Sequence, residues 1–239
     1  MAAESKQVYR RTYVWEWPVR FWHWSHFLAM VPLAITGYYI GNPFILSGVD
    51  PTAAVAADEA LGIMAGARLV HFISAIVLTV SVLVRLYWFF AGNAYSCWRC
   101  WFPFGNWTQI RNSLRLMVEQ VKFYLFLRWE APHGVGHNPL AAVTYGIMLL
   151  ILVLEVVTGW ALYSYGNPTS IFWPLFGWVF SITTDQSIRL WHHIIMWFLL
   201  IFFAVHLYLA IRDDNLGELG TMSSMFDGHK YWPEEHSPE

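Results

Sequence analysis

Three histidines lie in the last long apolar stretch of the sequence, residues 189–212. An imidazole inside a bilayer needs a partner, so His192, His193 and His206 are all candidate functional residues. At about 100° per residue, fourteen residues bring His206 to within roughly 40° of His192 around a helix and roughly 21 Å along its axis. His193 falls about 140° from His206, near the opposite face. One face of one helix therefore offers an imidazole in each leaflet, as two stacked haems would require.

The composition is that of a membrane protein. The 239 residues are 57% hydrophobic and only 13% charged, whereas a water-soluble domain has roughly a quarter charged residues. The polar opening residues predict no cleavable signal peptide. The net charge of −2 points to no partner, and the sequence has no basic stripe of the kind that binds nucleic acid.

Four apolar segments have the length of roughly 20 residues that a bilayer crossing requires. They lie at about 21–41, 69–91, 139–163 and 188–211. We therefore predict an all-α fold, a membrane-embedded four-helix bundle that forms a single domain over residues 1–239. A shorter apolar run at 171–182 suits an interfacial or re-entrant piece.

Between the second and third spans, residues 107–129 mix basic and apolar side chains. This mixture predicts an amphipathic helix that lies on the cytoplasmic membrane surface, an interfacial element outside the bundle. An ordinary loop helix packed on its neighbours is the alternative.

Charge predicts the orientation. Lys and Arg are concentrated before the first span and in the loop between the second and third, and the other loops are poor in them. By the positive-inside rule, both termini and the middle loop are cytoplasmic. We thus expect a multi-pass protein of the bacterial cytoplasmic (inner) membrane.

This orientation sorts four histidines by depth. His71 and His192 fall near the periplasmic face, and His23 and His206 near the cytoplasmic face. Two pairs of imidazoles inside a helix bundle predict two bis-imidazole haem irons, which transfer electrons but leave no open position for oxygen. For any single histidine, hydrogen bonding to a neighbouring helix is the alternative explanation that needs no cofactor. A zinc or copper site would favour ligands at one depth, usually with Cys or Asp.

Two details refine the ligand set. His26 competes with His23 for one place, and we choose His23 because it is shallower and follows an arginine by three residues. The same spacing recurs in Arg20/His23, Arg68/His71 and Arg189/His192, where residues three apart are neighbours on a helix. These arginines could neutralise haem propionates, or they could anchor the span ends in the headgroup layer.

Other polar residues are candidates for smaller roles. His137 lies just before the third span, where a quinone headgroup would need a hydrogen-bonding or proton-donating group. Asn138 is the second candidate for that quinone contact, and with the following proline it predicts the helix start. His193, Glu155 and the Cys97/Cys100 pair receive no role, and the two cysteines lack the attachment pattern for a c-type haem.

Several segments, taken together and in order, resemble the b-type cytochrome subunit of membrane-bound NiFe uptake hydrogenases. They cover nearly the whole chain and include PVRFWHW at 18–24, TGYYIGNP at 36–43, RLVHF at 68–72, GHNPLA at 136–141, TGWALYS at 158–164, LWHHIIMW at 190–197 and VHLYLAIRDD at 205–214. The N-terminal stretch, the loop at 44–60 and the cysteine pair have no match in that pattern.

The resemblance implies haem b ligands at His23, His71, His192 and His206. It also implies that the chain anchors the small and large subunits of a hydrogenase and passes electrons from the iron–sulfur chain of the small subunit to the His71/His192 haem. Electrons would continue through the His23/His206 haem to a quinone. The chain itself would not be catalytic toward H2, although it could carry the quinone-reduction site.

Two alternatives stay open at this point. A formate dehydrogenase or thiosulfate reductase uses a related cytochrome b subunit. A haem-free metal transporter that binds its ion through these histidines is a more distant alternative.

Overall fold

The structure, a computed structural model, describes residues 9–46, 50–101, 105–130, 136–217 and 220–233. Within these ranges the chain is mostly helical. The α-helices are α1 (Trp17–Gly41), α2 (Pro51–Leu61), α3 (Ile63–Ala91), α4 (Trp98–Trp101), α5 (Trp107–Tyr124), α6 (Pro139–Gly166), α7 (Trp173–Phe176), α8 (Asp185–Gly217) and α9 (Ser224–Asp227). Two short 3₁₀ turns, Phe44–Leu46 and Gly177–Ser181, and two strands, β1 (Tyr9–Tyr13) and β2 (His229–Pro233), complete the described elements.

Helices α3, α6 and α8 are long and apolar enough to cross a membrane. They contain the second, third and fourth predicted spans and extend beyond them. The first predicted span lies in α1, which has 25 residues. This helix is not among the three apolar helices, and its Trp, Tyr and His side chains are of the kind that favours the membrane interface. Its crossing of the bilayer stays a prediction.

The start of α6 follows the capping chemistry that its sequence predicts. The side-chain oxygen of Asn138 accepts a hydrogen bond from the backbone N–H of Ala141 at 2.8 Å, and Pro139 is the first helical residue. An amide oxygen at the N-cap satisfies one of the free N–H groups of the first turn. The residue before Asn138, His137, is therefore held at a defined position just outside the helix.

A strand pair departs from the all-α prediction. Strands β1 and β2 pair in antiparallel register, from Tyr9 opposite Pro233 to Tyr13 opposite His229. Both segments are rich in aromatic residues, which favour strands. The pair joins opposite ends of the sequence, and pattern analysis of either segment alone gives no sign of it. A buried cluster of Val14, Trp15 and Val19 follows β1 directly.

The described chain divides into two compact units. The first unit comprises residues 1–21, 84–150 and 201–239, and the second comprises 22–83 and 151–200. Helices α1, α3, α6 and α8 each contribute residues to both units. This division does not test the prediction of a single domain.

Candidate functional site

In the second unit, His71 of α3 lies against α1. The Thr36 hydroxyl oxygen is 3.0 Å from Nδ1 of His71. The same hydroxyl donates its proton to the carbonyl of Pro32, one turn earlier in α1, at 2.6 Å. Because that proton is already used, the oxygen accepts the N–H of the imidazole. The backbone carbonyl of Leu33 is a second acceptor for His71.

His192 of α8 has the same environment, supplied by α6. The Thr158 hydroxyl oxygen is 3.0 Å from Nδ1 of His192 and donates its own proton to the carbonyl of Leu154 at 2.9 Å. The backbone carbonyl of Glu155 is a second acceptor. In both imidazoles Nδ1 carries the proton, so the lone pair of Nε2 is left to bind a metal.

A glycine follows each threonine and makes room for the imidazole ring. A Cβ atom at Gly37 would lie 3.1 Å from Cε1 of His71, and one at Gly159 would lie 3.2 Å from Cε1 of His192. These distances are shorter than comfortable van der Waals contact. The Thr-Gly pairs at 36–37 and 158–159 therefore do two things each: they bind Nδ1 and they admit the ring.

This donor set would fit a haem iron held by two histidines. Two neutral imidazoles, each fixed in the tautomer that frees Nε2, are the ligands that a bis-histidine haem requires. His71 and His192 belong to the same unit and are near enough to interact electrostatically. Among the described residues, no group of three or more His, Cys, Asp or Glu side chains is arranged to hold a bare metal ion.

Two further polar groups lie beside this pair. Oε2 of Glu155 is 3.3 Å from Nδ1 of His192, a proximity that helical spacing within one span does not reveal. His193 turns its Nδ1 to the backbone carbonyl of Arg189 at 2.7 Å. Its Nε2 lies only 2.5 Å from where a Cβ at Gly41 would be. His193 thus packs on the end of α1 rather than beside Thr158.

The second unit also contains His23 and His26. The ring of His23 makes an edge contact with Trp24 at 5.1 Å between centroids, and the ring of His26 stacks on Trp22 at 5.7 Å. The choice of His23 over His26 as a ligand is not tested by these contacts. The predicted partner of His23, His206, belongs to the first unit, so this pairing stays a prediction.

In the first unit, His206 of α8 has a hydroxyl partner on Nδ1, as the other two candidates do. The partner is Tyr145 of α6, at 3.2 Å, and the imidazole ring stacks on Phe202 at 5.7 Å between centroids. A phenolic hydroxyl can donate to Nδ1 or accept from it, so this contact orients the ring without deciding which nitrogen carries the proton. Sequence reasoning missed Tyr145, because its contact with His206 joins two helices that are distant in sequence.

The first unit places aromatic rings on both sides of His137. The ring of Trp15 is 4.6 Å away and the ring of Tyr145 is 4.9 Å away. Burial, with the charges of Lys230 and Arg85, lowers the pKa of His137 to about 3. The imidazole is therefore neutral near pH 7 and can donate or accept a hydrogen bond, but it does not act as an imidazolium.

Lys230 of β2 is a second missed residue of this region. Its side chain is only 5% exposed, and Nζ donates to the backbone carbonyl of Gly136 at 3.4 Å. Burial lowers the pKa of this lysine. Asn138, the other predicted quinone candidate, uses its oxygen to cap α6 and turns its amide toward the hydroxyl of Tyr124 at 3.5 Å.

The three arginines of the predicted Arg/His pattern have different surroundings. Arg20 donates to the backbone carbonyl of Phe226. Arg189 lies 3.8 Å from the carboxylate of Asp185 across an exposed turn, and Arg68 is exposed. Their predicted role toward haem propionates is not tested.

The two cysteines form no disulfide with each other. Cys97 and Cys100 are free thiols. The Cys100 sulfur is 2.9 Å from the carbonyl of Cys97, and burial raises the pKa of this thiol to about 12. A thiol that stays protonated at neutral pH is a poor nucleophile and a poor metal ligand.

Comparisons with known proteins match this chain to a family and to several relatives. The family described as prokaryotic cytochrome b561 matches residues 14–228. A "probable Ni/Fe-hydrogenase B-type cytochrome subunit" of Cupriavidus necator is 35% identical, over 96% of this chain and 91% of the relative. One from Bradyrhizobium diazoefficiens is 37% identical, over 96% and 90%. The corresponding hydrogenase 1 subunit of Escherichia coli is 36% identical, over 91% and 90%.

Proposed function

Because the chain belongs to the prokaryotic cytochrome b561 family, we propose that it is the di-haem membrane anchor that passes electrons from a nickel–iron hydrogenase to the quinone pool. It is a transmembrane, hydrogenase-associated b-type cytochrome. The observation that carries the proposal further is the shared environment of His71 and His192. Each imidazole has its Nδ1 proton bound by a threonine that has no proton left to give, so each presents Nε2 as a ligand.

In this proposal His71 and His192 hold one haem b, and His23 and His206 hold the other. Helices α1, α3, α6 and α8 form a four-helix bundle in the bacterial inner membrane, with both termini cytoplasmic. The first pair then lies near the periplasmic face and the second near the cytoplasmic face. Arg20, Arg68 and Arg189 each lie one helical turn from a ligand, a spacing that suits a cation facing a propionate.

Helix α5 supports the interfacial part of the proposal. Its buried residues include the polar side chains of Ser113 and Gln120, while Leu114 and Val118 are more than half exposed. A helix that buries polar groups in the protein and exposes apolar ones is suited to a partly lipid environment. We propose that α5 lies on the cytoplasmic membrane surface, in contact with lipid.

The mechanism that follows from these residues is one of holding and orienting. Bound haem supplies one-electron redox chemistry. Thr36 and Thr158 fix the tautomer of the imidazoles, and Gly37 and Gly159 admit the rings. Tyr145 orients the ring of His206 through its contact with Nδ1. Neutral His137, between Trp15 and Tyr145, provides a hydrogen bond for a quinone headgroup, with Asn138 beside it.

The partners follow from the relatives, whose names associate them with Ni/Fe hydrogenases. We propose that the small subunit docks at the periplasmic face and delivers electrons to the His71/His192 haem, with the large subunit carrying the hydrogen chemistry. The chain is then not catalytic toward H2. Copurified nickel supports this partner, whereas copurified molybdopterin would indicate a formate dehydrogenase or thiosulfate reductase.

The test begins with reduced-minus-oxidised spectra of the purified chain. We expect a b-type α-band and two haems per chain; a chain without that band would be a haem-free protein such as a metal transporter. His71→Ala and His192→Ala should each lose one haem and stop electron delivery from the hydrogenase. His23→Ala and His206→Ala should keep one reducible haem while quinone reduction fails. Any of these variants that retains both haems removes its residue from the ligand set.

A further inference from the structure

Glu155 is a buried acid inside α6 that the proposed function does not use. Its side chain is 12% exposed, and Oε2 lies 3.3 Å from Nδ1 of His192. Within the described part of the chain, this oxygen has no hydrogen-bond partner, so the carboxyl group is near the imidazole without being hydrogen-bonded to it. An acidic side chain within a membrane-spanning helix is costly and is usually retained for a function.

The environment of His71 shows what Glu155 adds. His71 and His192 each have a threonine oxygen and the backbone carbonyl three residues before that threonine as acceptors. That earlier residue is Leu33 in α1 and Glu155 in α6. The two imidazoles therefore share two acceptors, and they differ in the carboxyl group that lies beside His192.

We propose that Glu155 is a positioning residue for His192, and that its carboxyl group gives the haem held by His71 and His192 a lower reduction potential than that haem would have without it. This inference rests on the proposed function, since it needs a haem on those two histidines. The two histidine ligands alone favour neither direction of electron transfer. In this inference the side chain of Glu155 does.

The physical reason is that a group near Nδ1 changes how strongly Nε2 donates electron density to a metal. A carboxyl oxygen beside the Nδ1 proton stabilises positive charge on the ring and makes Nε2 a stronger donor. A stronger axial donor favours the ferric over the ferrous state, which lowers the potential. Reduction adds one electron to the iron, and the carboxyl group gains or loses no atom. His206 instead has the hydroxyl of Tyr145 beside its Nδ1.

The experiment is a spectroelectrochemical titration of the full haem-loaded chain in the His206→Ala background, which retains only the haem of interest. Glu155→Leu gives α6 the residue that α1 has at the equivalent position, and Glu155→Gln keeps the shape. We expect the midpoint potential to rise in both, more in Glu155→Leu. The low-spin ferric signal in electron paramagnetic resonance should shift as well, because it depends on ligand orientation. Adding Leu33→Glu to Glu155→Leu should bring the potential back down.

Two controls separate this inference from the proposed function. In the His71→Ala background, which retains only the other haem, Glu155→Gln should leave the potential unchanged. Glu119→Gln, which removes an acid paired with Lys122 and Arg128 on α5, should also leave it unchanged. An unchanged potential in Glu155→Leu, with the haem present, would overturn the inference and leave the di-haem proposal intact. Absence of haem from the wild-type chain would instead remove the proposed function.

Discussion

The hydroxyl oxygen of Thr158 lies 3.0 Å from Nδ1 of His192 and donates its proton back to the carbonyl of Leu154. A threonine in a helix commonly makes such a bond to its own backbone. Here it has a second effect, because the oxygen is left as an acceptor and the imidazole proton must sit on Nδ1. The tautomer of a candidate metal ligand is thus decided by a backbone carbonyl one turn away from the threonine.

Replacing this threonine with valine tests the relationship. Thr158→Val keeps the shape and removes the acceptor, so the affinity for haem at the His71/His192 pair should fall by about 10- to 100-fold, as for other groups that orient metal ligands. Haem content per chain, measured by pyridine haemochrome at limiting haem, is the readout. Thr108→Val, at an exposed position of α5, is the matched control and should bind haem normally. Equal haem content in the two variants would contradict the role of the hydroxyl.

The close approach of the imidazole ring to the glycine after Thr158 leads to a second prediction. A methyl group at Gly159 would lie 3.2 Å from Cε1 of His192, so the ring must move out of its hydrogen bonds to accommodate it. We expect Gly159→Ala to alter the spectrum or occupancy of one haem. A Cβ at Gly66 of α3 meets nothing within 4 Å, so Gly66→Ala should be neutral or stabilise by about 0.4–1 kcal/mol. Thermal unfolding and haem spectra of both variants check this pair.

The lowered pKa of His137 leads to a prediction about the pH dependence of quinone reduction. Because its pKa is lowered to about 3, the imidazole stays neutral from pH 5 to pH 8 in the folded protein. His137→Phe keeps a ring between Trp15 and Tyr145 and removes one hydrogen bond, which is worth about 0.5–1.5 kcal/mol. Quinone reduction should therefore slow by roughly two- to tenfold, with haem content and the shape of the pH profile unchanged. A wild-type inflection near pH 6.5 that disappears in the variant would show that His137 titrates instead.

The raised pKa of the Cys100 thiol leads to a prediction about its reactivity. With a pKa of about 12, about one thiol in ten thousand is ionised at pH 8. Alkylation by iodoacetamide, followed by peptide mass spectrometry, should leave Cys100 unmodified in the folded chain and modify it after denaturation. Rapid modification of native Cys100 at pH 8 would show that the thiol is exposed and ionised.

The parts of this fold that were predictable from the sequence are those set by local pattern. The apolar length of α3, α6 and α8, the cap at Asn138 and the helical character of 107–124 follow from residues close together in the chain. Depth and orientation rules then select His71 and His192 as a pair. The spacing of the Thr-Gly pairs suggests room for a cofactor, but helical periodicity does not reveal their hydrogen bonds to histidines on other helices.

The missed residues are those whose role depends on tertiary contact. Tyr145, Trp15 and Lys230 contact histidine or the backbone beside it through segments distant in sequence. Neither strand of the β1–β2 pair has an apolar face or a turn signal that would indicate the pairing. A single sequence gives no information on which distant segments meet, so such contacts become visible only in the folded chain.

The pairing of Tyr9–Tyr13 with His229–Pro233 has a consequence for biogenesis. The first strand leaves the ribosome long before its partner is synthesised, so it must wait unpaired while every helix is made and inserted. The ribbon can close only after both strands and the helices between them have been synthesised. A product truncated before His229 would therefore lack this pairing.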